Sequence, residues 1–312
     1  MPRYQAPISS LWTGRQSDKP LYWYQNVAFV DIDSFSEDSD KQVFGLLGYQ
    51  GDEGVIRNQG RAGAVGGPAA MRQMMAGMAW HQSTNKRVVD FGDVICEDGH
   101  LEKTHKLISK SVSSLISKGV FPIVLGGGHD LAYAHFKGIR GALGAKKRIG
   151  TLNLDAHFDL RKAEKERTSG TPFYQILEED MNVEYCCLGI QKPSNNVELF
   201  QYAEKKNIHF LYAEEVNMRN WENIEIKLTD FVAKIDVLYL TIDLDGFSSA
   251  FAPGVSAPSP MGFSPDIILK ICLWLKSTNK LVSADIVELN PEYDLDHMTA
   301  RLAARLIENI IS

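Results

Sequence analysis

The chain has 312 residues, of which 44% are hydrophobic and 23% are charged, and its formal net charge is −6. This composition is typical of a globular protein with a substantial core, and the negative charge excludes the basic footprint of a nucleic-acid-binding protein. No apolar stretch approaches the ~20 residues of a membrane helix, and the N-terminus lacks the layout of a signal peptide.

The cysteines indicate the cellular location, and the absence of a linker indicates the number of domains. Cys96, Cys186, Cys187 and Cys272 form no CxxC pair, so we expect reduced, buried thiols in a cytoplasmic protein. The length would allow about two domains of ~150 residues. The sequence shows no linker, however, and we predict a single domain over residues 1–312.

Short, near-continuous apolar runs alternate with longer amphipathic segments along the chain. The runs predict strands at Val27–Asp33, Phe44–Tyr49, Val88–Val94, Pro122–Leu125, Ile149–Asp155, Tyr185–Gly189, His209–Ala213, Val237–Asp243 and Leu281–Glu288. Helices are predicted from Gly67 to about His81, over Leu101–Lys118, from Pro265 (with Ser264 as N-cap) to about Lys276, and over Asp296–Ile311. This order predicts an α/β fold: a doubly wound, mainly parallel sheet with helices on both faces.

Polar motifs follow three of the predicted strands. GGGHD (126–130) follows the strand that ends at Leu125, DAHFD (155–159) ends the next strand, and DLD (243–245) ends a later one. Ligands of open α/β sheets bind beyond the carboxyl ends of the strands. We therefore expect the three motifs to meet in one site.

The motifs contain ligand-type side chains at a spacing that suits metal ions. In extended backbone, residues i, i+2 and i+4 point the same way, so each motif should converge on one point. Four close carboxylates repel one another unless cations neutralise them. Carboxylates and imidazoles without thiolates favour Mn²⁺, and two ions per subunit, roughly 3.5–4 Å apart, would activate a shared water. The predicted ligands are His129, Asp155, His157, Asp159, Asp243 and Asp245.

Each motif alone has another interpretation. Glycine-rich turns after strands also bind phosphate, and strand-end aspartates often cap turns. A non-catalytic metal- or phosphate-binding α/β protein therefore stays open, although four carboxylates disfavour phosphate. The remaining histidines are predicted to lie on helices or exposed turns, without a ligand role: His81, His100, His105, His135, His209 and His297.

From about Asn58 to Asn290, the sequence resembles the arginase/agmatinase/formimidoylglutamase family of ureohydrolases. Besides the three motifs, the resemblance is carried by NQGRAGA (58–64), Gly67-Pro68, DFGD (90–93), Ala252-Pro253-Gly254 and DIVELNP (285–291). It implies an arginase-like fold, manganese-dependent hydrolysis of a C–N bond in a small amidine or guanidine, and a homo-oligomer.

The resemblance also implies how the ligands are shared between two manganese ions. His129, Asp155, Asp159 and Asp243 would hold one ion. Asp155, His157, Asp243 and Asp245 would hold the other, so that Asp155 and Asp243 bridge the two.

Within the family, two departures favour the formimidoylglutamase branch. Ser248-Ser249 stands near the place where arginases and agmatinases usually carry Asp-Pro, and Ser169 stands where they carry a proposed proton-shuttle histidine. Serine titrates far too high for acid–base work at pH 7. The implied reaction is cleavage of N-formimidoyl-L-glutamate to L-glutamate and formamide, in histidine degradation. An agmatinase, a guanidinobutyrase or another urea-releasing ureohydrolase stays open.

Candidate substrate contacts surround the metal motifs. Arg161 could grip a substrate carboxylate through paired hydrogen bonds, or it could be a solvated arginine in a charged loop that includes Glu164 and Lys165. Ser169 is a second candidate for substrate binding. Glu288 would pair with the amidinium nitrogens, and Asp159 would carry a proton to the departing amine. Further candidates are Arg57 and Arg61.

Overall fold

A ten-stranded, mainly parallel sheet organises the described part of the chain, residues 1–38, 40–163 and 166–312 of a computed structural model. Its strands are β1 (Arg3–Gln5), β2 (Ala28–Phe29), β3 (Gln42–Gln50), β4 (Lys86–Ile95), β5 (Val120–Leu125), β6 (Ile149–Leu154), β7 (Val183–Ile190), β8 (His209–Tyr212), β9 (Val237–Asp243) and β10 (Leu281–Val287). The helices are α1 (Glu53–Arg57), α2 (Gly67–Ala76), α3 (Leu101–Ser117), α4 (Leu131–Leu143), α5 (Pro172–Glu179), α6 (Val197–Lys205), α7 (Trp221–Ala233), α8 (Pro265–Ser277) and α9 (Met298–Ile311).

The strand order places the motif-bearing strands side by side. The sheet runs β1-β4-β3-β5-β10-β9-β6-β7-β8, and β2 also pairs with β4. Every pairing is parallel except that of β1 with β4. Because β5, β10, β9 and β6 are neighbours and parallel, their carboxyl ends open at the same edge.

Helices cover both faces of the sheet, as the near-continuous apolar strands predict. Leu46 and Leu47 are adjacent in β3 and pack on opposite sides, one in each of the two core clusters. Helices α2, α7, α8 and α9 contribute to the cluster around Leu46, and α3, α4, α5 and α6 contribute to the other. The predicted doubly wound α/β architecture is confirmed. No helix in residues 1–38, 40–163 and 166–312 has the length and apolarity of a membrane span.

The structure corrects several predicted boundaries. The strand predicted at Val27–Asp33 is only the two-residue β2, because the Asp31 carbonyl accepts hydrogen bonds from Ser34 and Phe35 and turns the chain. Helix α2 ends at Ala76, where Gly77 follows, not near His81. Strand β1 was not predicted. Ser264 does precede α8, but its hydroxyl bonds Asp266 and not the helix backbone.

A buried arginine fastens α2 to β4. The Arg72 guanidinium donates two hydrogen bonds to Asp90 and one to Asp93, at 2.7–2.8 Å, and all three side chains are at most 1% exposed. The Trp12 indole nitrogen also donates to Asp90 at 2.8 Å. Burial of two carboxylates is tolerable here because a fixed, bidentate cation compensates them.

Replacing Arg72 with methionine should therefore destabilise the protein strongly. The change keeps most of the side-chain volume but leaves two buried carboxylates uncompensated, which costs about 3–5 kcal/mol. Urea denaturation followed by circular dichroism measures the loss. The matched control is Arg3→Met, whose exposed pair with Glu97 should contribute at most about 1 kcal/mol. Equal losses of unfolding free energy in the two variants would contradict the stabilising role given to Arg72.

Candidate active site

The GGGHD loop, which follows β5, packs closely against the loop that follows β3. The Gly128 amide donates to the Gly51 carbonyl at 2.9 Å, and a Cβ at Gly127 would lie 1.9 Å from that carbonyl oxygen. Only glycine allows this approach. This close packing places His129 at the carboxyl edge of the sheet, two residues before α4 begins.

The DAHFD residues form a loop and not an extension of the strand. β6 ends at Leu154, the His157 amide turns back to the Asp155 carboxylate at 2.7 Å, and Asp159 has a φ of 49°. Asn195 holds this loop, because its side chain accepts from the Phe158 amide and donates to the Ala156 carbonyl. The predicted convergence occurs, but the extended backbone from which it was predicted is wrong. No sequence motif singled out Asn195.

The DLD motif converges through a similar turn. Asp243 is the last residue of β9, and Leu244–Gly246 form a 3₁₀ turn in which the Asp245 amide donates to the Asp243 carboxylate at 2.8 Å. The local hydrogen bond, and not strand alternation, places the two carboxylates on the same side.

The six predicted ligands gather in two groups. His129 Nδ1 lies 3.3, 3.0 and 2.9 Å from oxygens of Asp155, Asp159 and Asp243. His157 Nδ1 lies 3.4 Å from Asp155 and 3.2 Å from Asp245. Within each group the potential ligand atoms lie within 4.8 Å of one another, and Asp155 belongs to both groups. Asp243 belongs only to the first, whereas the family resemblance places it in both.

The carboxylates create a strongly negative field. Burial alone would lower the pKa of His129, but hydrogen bonding and charge from Asp155, Asp159 and Asp243 raise it well above its ordinary value. Burial and the neighbouring acids raise the pKa of Asp243 well above its usual range. Both shifts have the sign expected where several carboxylates are buried together.

The donor set fits divalent cations. Among the described residues, none forms a hydrogen bond of good geometry with His129 Nδ1 or with Asp245 Oδ1, although both atoms are buried. Buried polar atoms without a partner are rare in native proteins, and metal coordination accounts for such atoms. Imidazole and carboxylate ligands together suit Mn²⁺.

A cavity of about 310 Å³ opens over the two groups and is lined by His129, His157, Asp159, Asp243, Asp245 and Glu288. Glu288 follows β10 with a φ of 67° and is 5% exposed; its carboxylate accepts from the His129 amide at 2.7 Å. Burial, followed by the charge of Asp245, raises the pKa of Glu288 to about 8. The volume suits a small substrate.

Arg161 and Ser169 also line the cavity, joined by Asn58. Arg161 donates to the Asn58 side-chain oxygen at 3.2 Å, and the Asn58 amide donates to the Ser169 hydroxyl at 3.1 Å. Arg161 is exposed and Ser169 is buried. Asn58 belongs to the NQGRAGA segment. No sequence spacing predicts its hydrogen bond with Arg161, which is 103 residues away. Glu164 and Lys165 lie outside the described residues.

The other two candidate arginines for substrate binding, Arg57 and Arg61, already bind protein groups. Arg57 pairs with Glu53 and Glu102, each at 2.8 Å. Arg61 donates to the backbone carbonyls of Val255 and Ser256, and its guanidinium lies 4.0 Å over the ring of Tyr293. Arg57 does not line the cavity, whereas Arg61 lines it with its guanidinium committed to the backbone.

One histidine departs from the setting predicted for this group. His209 begins β8, in agreement with the strand predicted at His209–Ala213, and does not lie on a helix or exposed turn. His135 lies on α4 as expected, but it is fully buried against Asp285 and Ser283. Neither belongs to the ligand groups found among the described residues.

Comparison with known proteins identifies the family. The sequence model of the arginase family matches residues 43–312. The chain belongs to the arginase family. It is 40% identical to a formimidoylglutamase of Geobacillus sp. (strain WCH70), covering 96% of this chain and 94% of the relative. It is 37% identical to one from Aeromonas salmonicida (strain A449), covering 99% of each.

Solved structures show the same fold. The formimidoylglutamase of Bacillus subtilis superposes with a TM-score of 0.82 at 23% identity, covering 95% of this chain and 93% of that one. A Trypanosoma cruzi formiminoglutamase with Mn²⁺ superposes with a TM-score of 0.78 at 26% identity, covering 90% and 97%. The predicted arginase-like fold is confirmed.

Removing one carboxylate should abolish cation binding. Manganese at about 100 times its dissociation constant should raise the melting temperature of the unaltered protein by roughly 5–10 °C, because binding favours the folded state. In Asp243→Ala we expect no manganese loading, no thermal shift and no hydrolytic activity. Differential scanning fluorimetry and elemental analysis measure the first two. Asp33→Ala, a change at an exposed aspartate, should behave like the unaltered protein, and normal loading of Asp243→Ala would refute the assignment.

Proposed function

We propose that this protein hydrolyses N-formimidoyl-L-glutamate to L-glutamate and formamide, with two manganese ions per subunit. The observation that carries the proposal is a small cavity that joins two ligand groups to a buried glutamate and an exposed arginine. The full-length relatives named formimidoylglutamase support the choice of substrate. The Mn²⁺ of the T. cruzi formiminoglutamase supports the choice of metal.

The six ligands would hold the ions in the two groups that the structure brings together. His129, Asp155, Asp159 and Asp243 would hold one, and Asp155, His157 and Asp245 would hold the other. When bound, the ions supply Lewis-acid activation of water and neutralise the carboxylates.

Glu288 and Asp159 act on the formimidoyl group. Glu288 is buried and reaches the cavity, so its carboxylate pairs with the amidinium nitrogens and orients the carbon toward the ligand groups. Among the three acids around His129, Asp159 is the most exposed, at 13%. It is therefore the carboxylate of that group best able to pass a proton to the departing glutamate amine.

Arg161 and Ser169 bind the amino-acid portion. The Asn58 oxygen orients the Arg161 guanidinium, whose remaining donors suit a substrate carboxylate. Ser169 offers a hydroxyl beside it. A single domain, a homo-oligomeric assembly and a cytoplasmic location stay predictions from the sequence.

The deciding experiment is a substrate panel with the manganese-loaded protein. N-formimidoyl-L-glutamate, arginine, agmatine and guanidinobutyrate are incubated separately, and glutamate, formamide and urea are measured. We expect glutamate and formamide from the first substrate only, and loss of both with a chelator. Urea from one of the others, without turnover of the first, would keep the metal site but replace the substrate.

Arg161→Met should separate binding from chemistry. The variant loses a charge-assisted contact with the substrate carboxylate, so KM should rise about 10- to 100-fold. We expect a smaller change in kcat, because the arginine does not touch the reacting carbon. Lys162→Met, an exposed neighbour, is the control and should leave KM unchanged. An unaltered KM in Arg161→Met would remove Arg161 from the substrate site.

A further inference from the structure

The imidazole of His129 is held between two different environments. Its Nδ1 faces three carboxylates, whereas its Nε2 lies 3.0 Å from the hydroxyl oxygen of Thr241. Thr241 is on β9, two residues before Asp243, and is fully buried. The hydroxyl therefore contacts His129 from the sheet, on the side away from the carboxylates.

This contact bears on the position of the ring proton. A neutral imidazole carries one N–H, so Nδ1 can bind a metal ion only when the proton is on Nε2. A threonine hydroxyl oxygen can accept this proton, and the Thr241 oxygen lies within hydrogen-bond distance of Nε2.

We infer that Thr241 is a positioning residue for metal binding: its hydroxyl oxygen accepts the Nε2 proton of His129 and leaves Nδ1 free for the ion. The inference rests on the metal site of the proposed function and does not depend on the substrate.

The test compares manganese affinities of the full-length protein and its variants. Protein stripped by a chelator is titrated with MnCl₂, and free Mn²⁺ is measured by electron paramagnetic resonance. Thr241→Val removes the acceptor but keeps the shape, and should raise the Kd about 10- to 100-fold, the range for lost partners of metal-binding histidines. Thr241→Ser keeps the hydroxyl and should restore most of the affinity.

Thr151→Val is the matched control. Thr151 is a fully buried threonine on the neighbouring β6, and its hydroxyl has no hydrogen-bond partner among the described residues. Its replacement should leave the Kd unchanged. Equal affinity of Thr241→Val and the unaltered protein, or equal losses in Thr241→Val and Thr241→Ser, would overturn the inference.

Two further results keep the test decisive. If Thr241→Val shows no cooperative melting transition, Thr241→Ala replaces it; a Kd above that of Thr241→Ser supports the inference, and a Kd equal to that of Thr241→Ser refutes it. An unaltered protein that binds no manganese would overturn the proposed metal site and the inference together. Tight manganese binding without turnover of N-formimidoyl-L-glutamate would overturn the substrate alone, and the comparison of the Thr241 variants would still decide the inference.

Discussion

The mutual repulsion of buried carboxylates at the carboxyl edge of the sheet is the constraint on which the site depends. Asp155, Asp243 and Asp245 are at most 5% exposed, and Asp159 and Glu288 lie beside them. Such a set is stable only where cations compensate it, because burial weakens solvent screening. The proposed manganese ions would supply this compensation, and the two histidines would bind them as neutral ligands.

The fold brings these side chains together through adjacent parallel strands and through two residues with left-handed backbone. Four adjacent parallel strands end at the same edge, so the ligands differ in sequence position by more than a hundred residues but lie within one cavity. Asp159 and Glu288 have left-handed backbones, at φ 49° and 67°. Non-glycine residues in this region cost of order 1–3 kcal/mol each, and such strain persists where surrounding structure holds it, often at functional sites. Both residues are assigned to the chemistry in the proposed function, although left-handed backbone also occurs at residues without such a role, for example Asn207 and Asn279.

The sequence predicted which side chains gather at the carboxyl edge of the sheet but not the contacts that support them. The motifs lie at the ends of parallel strands, and such ends share one edge, so the sequence alone indicated that His129, His157 and the aspartates lie together. The explanation by extended spacing was wrong, because turns closed by Asp155 and Asp243 carry the convergence. Asn195, Asn58 and Thr241 act through contacts between distant segments, which composition and periodicity do not encode. For the same reason the ion pair of Arg57 with Glu102, 45 residues along the chain, was not foreseen.

Selectivity among amidines and guanidines follows from the distribution of charge around the cavity. The floor is acidic and attracts any amidinium or guanidinium group, so it cannot by itself distinguish N-formimidoyl-L-glutamate from agmatine. The two differ at the opposite end, where one carries carboxylates and the other an ammonium group. In the proposed function, Arg161, held by Asn58, would place positive charge in the lining, which would favour the first and repel the second. Discrimination would then rest on the residues around Arg161, and the ligand groups and Glu288 would serve the hydrolysis itself.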